Sequence, residues 1–197
     1  MRLPVLTPEE MNRHQHELAD RITARRGGVR GPFRVWLQSP ELCERVESLG
    51  AFVRFESSLP KHLRELTLLV AARHWDAQYS WNAHVHTAIE AGLPEAAVEA
   101  IAERREPAFG SEADTAFYAF CHELLEHHFV AEDTFALAHR HFGSRGLVDA
   151  VGSLGNFSML AMCLNAFQVD LQPGRKPPFP DIRGFEHVAG DGNRSQP

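Results

Sequence analysis

Residues 59–92 read LPKHLRELTLLVAARHWDAQYSWNAHVHTAIEAG, and this stretch decides the fold. Leu59-Pro60 opens a helix, since proline costs nothing in a first turn whose N–H groups have no helical partner. Over 59–75, Leu63, Leu66, Leu69 and Val70 share one broad face, and Leu68, Ala71 and Ala72 cover much of the rest. A helix apolar nearly all round is a buried helix. Glu65 falls among Leu68, Leu69 and Ala72, so it is a carboxylate in apolar company that needs a partner or a raised pKa. A second helix covers 78–91 and stops at Gly92, which accepts the left-handed conformation of a C-terminal cap. Only Asp76-Ala77 joins the two, so they pack as an antiparallel hairpin.

Helical periodicity continues on both sides of this hairpin, and strand signals are weak throughout. Upstream, a first helix runs from Pro8 toward Thr23 and stops in a loop carrying Arg25, Arg26 and Arg30 beside Gly27, Gly28 and Gly31. This basic loop reads as solvated, with a phosphate- or carboxylate-facing role as the alternative. A second helix runs from Pro40 to about Phe55, with Leu42, Val46, Leu49 and Val53 as its apolar stripe. Downstream come a short helix over 95–103, one capped by Ser111 that reaches His128, and one over 132–141. Gly143 and Gly146 break the chain before a final apolar helix ending near Phe167. The reading is an all-α chain, with one domain over 1–170 and an extended Pro/Gly-rich tail over 171–197, of which 190–197 is expected to be disordered.

Composition bounds the function. The 197 residues are 44% hydrophobic and 23% charged, with a formal net charge of -6 and a pI near 6.0. Nucleic acid and anionic membrane surfaces need concentrated Lys and Arg, so neither is an expected partner. Cys43, Cys121 and Cys163 are scattered and none lies in a CxxC, which suits a reducing, cytoplasmic setting better than a disulfide framework. No signal peptide is visible at the N-terminus. The long apolar stretch over 147–169 carries Asp149, Asn156 and Asn165, so it is expected to be a buried helix rather than a membrane span.

The segment 59–92 resembles the signature of the carboxymuconolactone decarboxylase / alkylhydroperoxidase D-like family, and the likeness extends over most of the chain. The redox branch of that family carries the pattern E-x11-C-x2-C-x3-H. Counted from Glu65, the histidine falls on His84, but the two cysteine positions fall on Ala77 and Ser80. Disulfide exchange needs an attacking thiolate and a resolving thiol, and these residues supply neither. Non-redox relatives carry Tyr-Glu-Trp-x-x-His; here it reads Tyr79-Ser80-Trp81-Asn82-Ala83-His84. The resemblance implies an alkylhydroperoxidase D-like helical bundle with His84, Glu65 and Ser80 as candidate catalytic residues and Tyr79 and Trp81 as candidate substrate contacts.

The residues themselves add a geometric argument. Ser80 and His84 are four apart and share one helical face, next to the apolar stripe of Trp81, Val85 and Ile89. An imidazole at the edge of a buried surface is placed to exchange a proton with a ligand, although a histidine satisfied by a backbone carbonyl is the common alternative. Glu65 has an equally plain alternative as a structural carboxylate for Arg64 or Arg73. Tyr79 and Trp81 are also residues that cores and interfaces use. His122, His127, His128, His139 and His141 show no HExxH or equivalent spacing, so no metal site is expected.

The activity implied by the resemblance is a cofactor-free lyase reaction on a small unsaturated lactone or carboxylic acid, as in aromatic-compound breakdown, with His84 as general acid/base. Two rivals stand beside it: an alkylhydroperoxidase-like antioxidant protein, which the missing cysteines disfavour, and a non-catalytic helical oligomer. Relatives form rings, and the last helix offers more apolar surface than one neighbour covers. A homo-oligomer, trimeric or hexameric with a dimer as runner-up, is therefore expected.

Overall fold

A computed structural model describes residues 1–180. Those residues form eight α-helices and no strand. In chain order they are α1 (Arg13–Arg26), α2 (Phe33–Trp36), α3 (Pro40–Ala51), α4 (Lys61–His74), α5 (Gln78–Glu90), α6 (Glu95–Ala102), α7 (Glu112–His127) and α8 (Glu132–Ala166). A 3-10 turn, Pro8–Glu10, precedes α1, and a π-helical turn, Phe52–Glu56, extends α3.

The apolar circumference of α4 makes it the central pole of the bundle. Every residue from Glu65 to Ala72 is buried, and α5, α6, α7 and α8 all pack against it. Its antiparallel hairpin with α5 turns through Asp76, whose φ of 49° closes the connection. Arg73 and Arg104 both bind the Asp76 carboxylate, which holds that left-handed residue in place. The core includes Leu66, Leu69, Phe117, Ala150 and Leu154, drawn from α4, α7 and α8. A second cluster joins α1, α2 and α3 to the end of α8 through Leu18, Ile22, Trp36, Val46 and Cys163.

The last helix is one 35-residue element interrupted at Gly143, whose φ of 64° and ψ of 178° are non-helical. Glycine has no Cβ to oppose that backbone, so the break expected near 143–146 falls there as a kink. By length and composition α8 could cross a bilayer, but half of its most apolar window is buried within the bundle. Asp149 inside it accepts hydrogen bonds from Ser58 N and Ser58 Oγ, both at 2.7 Å.

Three local expectations are corrected. The first helix starts at Arg13, because the Asn12 side chain accepts from Gln15 N and caps it there. It continues to Arg26, ending on Gly27 at φ 76°. Cations are favoured in a last turn, which suits Arg25 and Arg26. The short helix α2 was not expected from periodicity. On α3 the apolar stripe is rotated: Cys43, Val46 and Val53 face inward, whereas Leu42 and Leu49 are 46% and 42% exposed. Glu47 takes an inward position, with Arg25 donating to both of its oxygens at 3.2 and 3.3 Å.

Residues 171–180 lie along α5. Gln78 Nε2 donates to the Phe179 carbonyl at 2.9 Å, and Asn82 Nδ2 donates to the Lys176 carbonyl at 2.8 Å. The remainder of the tail, with the segment 190–197 expected to be disordered, lies outside the described residues.

The rotated stripe makes a clear prediction. Leu66→Ala empties a fully buried position and is expected to cost about 2–5 kcal/mol in urea unfolding. Leu42→Ala, on the outer face, is expected to stay within about 0.5 kcal/mol. Comparable losses at both positions would restore the stripe read from the sequence.

Candidate active site

The α4–α5 hairpin fixes the central contact of the site. Glu65 is 7% exposed on α4, and the carboxylate finds its partner one helix away: His84 Nδ1 donates to Glu65 Oε2 at 2.8 Å. A carboxylate oxygen accepts, so Nδ1 carries the proton and Nε2 is left with its lone pair when the ring is neutral. Arg73, weighed from the sequence as a partner for Glu65, binds Asp76 instead. The Glu65 partner demanded by burial is therefore His84.

Glu65 and His84 lie on the wall of a cavity of about 270 Å³. Ser80 lines the same cavity one turn before His84, and Tyr79 lines it from the adjoining face. The structure thus brings Glu65, Ser80, His84 and Tyr79 together, and the hydrogen bond of His84 goes to Glu65 rather than to Ser80. Apolar walls come from both core clusters: Phe33, Trp36 and Val46 on one side, Leu68 and Phe157 on the other. The cavity is the seam between them.

Trp81 is corrected. It is 3% exposed, does not line the cavity, and meets Phe179 edge to face at 5.8 Å between ring centroids. It stands three positions before His84 on one helix, but its ring turns into the core, where an indole contributes more as buried area. Tyr79 stays at the cavity because Gly31 makes room for it. A Cβ on Gly31 would stand 2.7 Å from Tyr79 Cε1, and Gly31 also has φ 55°.

The basic loop read as solvated is corrected in part. Arg26 and Arg30 line the cavity, joined by Arg54 from the π-helical turn and Arg64 from α4. Burial, and then the like charge of Arg54, push the Arg26 guanidinium below its ordinary pKa. Arg25 alone behaves as an outer residue, paired with Glu47. No sequence motif marks Arg54 or Arg64; the signal available was Arg64 standing directly before the buried Glu65.

Three of the other histidines have local partners. His122 stacks on Tyr118, His141 pairs with Glu112 at 3.1 Å, and His139 meets Ser144 at 3.0 Å. Among the described residues no three His, Cys, Asp or Glu side chains are grouped as a metal site. All three cysteines are free and buried. Burial raises the thiols of Cys43 and Cys163 to about 11 and raises Cys121 further, so all three are protonated at neutral pH.

Residues 40–123 match the model of the carboxymuconolactone decarboxylase family. No curated protein matches the chain in sequence. Solved structures share its fold at low identity. A peroxidase-related protein from Ralstonia eutropha, described as an alkylhydroperoxidase AhpD core, aligns at TM-score 0.73 and 15% identity, covering 87% of this chain and 92% of its own. A peroxidase-related protein from a Silicibacter species aligns at 0.71 and 16%, covering 88% and 91%. A debrominase in complex with 2,3,4-tribromopyrrole aligns at 0.69 and 15%, covering 88% and 94%.

Buried, protonated thiols predict slow chemistry. In the native protein Ellman's reagent is expected to label none of the three cysteines within minutes at pH 7.5, and all three after denaturation. Rapid labelling of any one would contradict the burial found here.

Proposed function

We propose, for a chain whose residues 40–123 match the model of the carboxymuconolactone decarboxylase family, a cofactor-free lyase that transfers a proton to a small unsaturated lactone or carboxylic acid. Decarboxylation is the step this site suits best. The observation that carries the reading is the 2.8 Å bond from His84 Nδ1 to Glu65 on the wall of an apolar-sided cavity. Glu65 orients the ring and stabilises its imidazolium form, and His84 Nε2 then presents a proton to the bound molecule. As the C–C bond to the departing carboxylate breaks, its electron pair enters the conjugated system and CO2 leaves. The carbon of the conjugated product takes the Nε2 proton, and solvent reprotonates the imidazole. Ser80 is positioned to hold a lactone oxygen.

The debrominase of the same fold binds 2,3,4-tribromopyrrole, a small planar ring, which fits a small-molecule role for this architecture. A thiol peroxidase reading, to which two peroxidase-related proteins of this fold would point, lacks its thiols here: Ala77 and Ser80 stand where the redox pattern has cysteines, and the three thiols present are buried. An open cavity containing His84 also favours an enzyme over an inert scaffold. The unpaired cysteines suit a reducing, cytoplasmic setting.

The chain is also proposed to work as a homo-oligomer. Phe52, Phe55, Val148 and Val151 are exposed on the π-helical turn and α8, elements in mutual contact, and an apolar face of that kind is usually covered by a partner. Sedimentation equilibrium at micromolar concentration is expected to give a multiple of 22.1 kDa; a single species at that mass would refute it.

Turnover of muconolactone-type acids, followed by CO2 release, tests the activity. His84→Gln keeps an amide to satisfy Glu65 and is expected to lower kcat by about 10²–10⁴-fold. Replacing Cys43, Cys121 and Cys163 together by Ser is expected to leave kcat essentially unchanged. Full activity in the His84 variant, or its loss in a folded cysteine-free variant, would overturn the assignment.

A further inference from the structure

We propose that Arg26, Arg64 and Asn156 form an anion-recognition subsite, which grips a carboxylate that the substrate keeps through the reaction. The inference deepens the reading of the same cavity and rests on that reading only for what happens to the ligand after it binds.

The first observation is a set of polar atoms without partners. Arg26 Nε and Nη2, Arg64 Nε, and both side-chain polar atoms of Asn156 are buried and make no hydrogen bond among the described residues. Asn156 is 2% exposed, and all three residues line the cavity. Buried donors are nearly always satisfied, because an orphaned one keeps its full desolvation cost. Four of these five atoms are donors, and orphan donors gathered at one cavity mark the place of a missing acceptor; Asn156 Oδ1 is itself an acceptor and calls for a donor.

Charge says what that acceptor is. Four guanidiniums, from Arg26, Arg30, Arg54 and Arg64, line the cavity against the single carboxylate of Glu65, and His84 already occupies that carboxylate. Glu47, whose charge acts on Arg26, is bound to Arg25. The chain as a whole carries -6, so this positive cavity runs against the net charge and would draw a small anion inward. Guanidinium forks match the two oxygens of a carboxylate, and the asparagine amide adds a neutral donor.

Chemistry then separates two carboxylates. A guanidinium on the departing group would stabilise the reactant and oppose loss of CO2, since only interactions stronger in the transition state accelerate a reaction. The carboxylate held by Arg26 and Arg64 is therefore one that remains in the product, while the departing group faces the apolar wall. The ligand class is a small, flat, apolar acid carrying at least one carboxylate beyond the group that leaves.

Binding without turnover tests this. Calorimetric titrations would use benzoate and cis,cis-muconate as probes, benzamide as the neutral control and sulfate as the plain anion. The acids are expected to bind at least tenfold more tightly than benzamide or sulfate. Arg26→Met and Arg64→Met are each expected to weaken benzoate binding tenfold or more, and Arg140→Met, exposed on α8 outside the cavity, to leave it within twofold. Because the half-buried Arg26 guanidinium meets the Phe33 ring, 4.9 Å from its centre, but no carboxylate, the unliganded Arg26→Met protein is expected to melt no lower than the wild type. Equal binding of benzoate and benzamide, or arginine variants that bind benzoate like the wild type, would overturn the subsite. So would an Arg26→Met protein that melts lower and binds normally, since Arg26 would then be structural. Tight carboxylate binding in a protein that turns over no acid would leave the subsite standing and remove the proposed lyase. Turnover without arginine-dependent binding would do the reverse.

Discussion

The hydrogen bond from His84 to Glu65 is the contact around which the rest of the molecule is organised. A carboxylate buried in the most apolar helix of the bundle is costly unless a donor meets it. The donor comes from α5, brought back past it by a three-residue turn between His74 and Gln78. The hairpin geometry, the ion pairs on Asp76 and the packing of α7 and α8 over α4 all serve to keep one donor and one acceptor 2.8 Å apart. Removing either partner leaves the other as a buried polar group at a cost of about 1–3 kcal/mol. Stability and the proposed chemistry therefore share the same residues here.

The arrangement explains how the same helical frame can host different reactions. A pair of thiols on α5 would make it an electron-transfer site. With Ala77 fully buried beneath the helix start and Ser80 facing the cavity, what remains is the Glu65–His84 pair, for which proton transfer is proposed. The remaining cysteines are in the two cores, where desolvation keeps them protonated. Redox chemistry depends on the thiolate, so burial silences these sulfurs whatever their number. The cavity supplies the complement to the proton-transfer pair, with apolar walls and guanidiniums on one side.

Much of this was legible in the chain. The fold followed from one helix too apolar to be anywhere but the centre and from a connection too short for anything but a hairpin. The nineteen-residue separation of Glu65 and His84 spans that hairpin and points to one shared site, while the partner of His84, open among Ser80, Glu65 and a water in the sequence, is Glu65 in the structure. The failures share a cause. Trp81 and Tyr79 are two positions apart and look alike in sequence, but helix rotation sends one ring into the core and the other to the cavity. Leu42 and Leu49 formed a convincing stripe, but α3 turns Cys43, Val46 and Glu47 inward instead. The arginines come from α1, the following loop, the π-helical turn and α4, and no local pattern reveals that four separate segments meet.

The central claim is that Glu65 fixes the His84 ring so that Nε2 is the nitrogen offered to a ligand. Imidazole ¹⁵N chemical shifts of His84 in the neutral form, assigned by His84→Gln, measure this directly. The account predicts a proton on Nδ1 with Nε2 bare, and loss of that single tautomer in Glu65→Gln. A proton on Nε2, unchanged by Glu65→Gln, would contradict it.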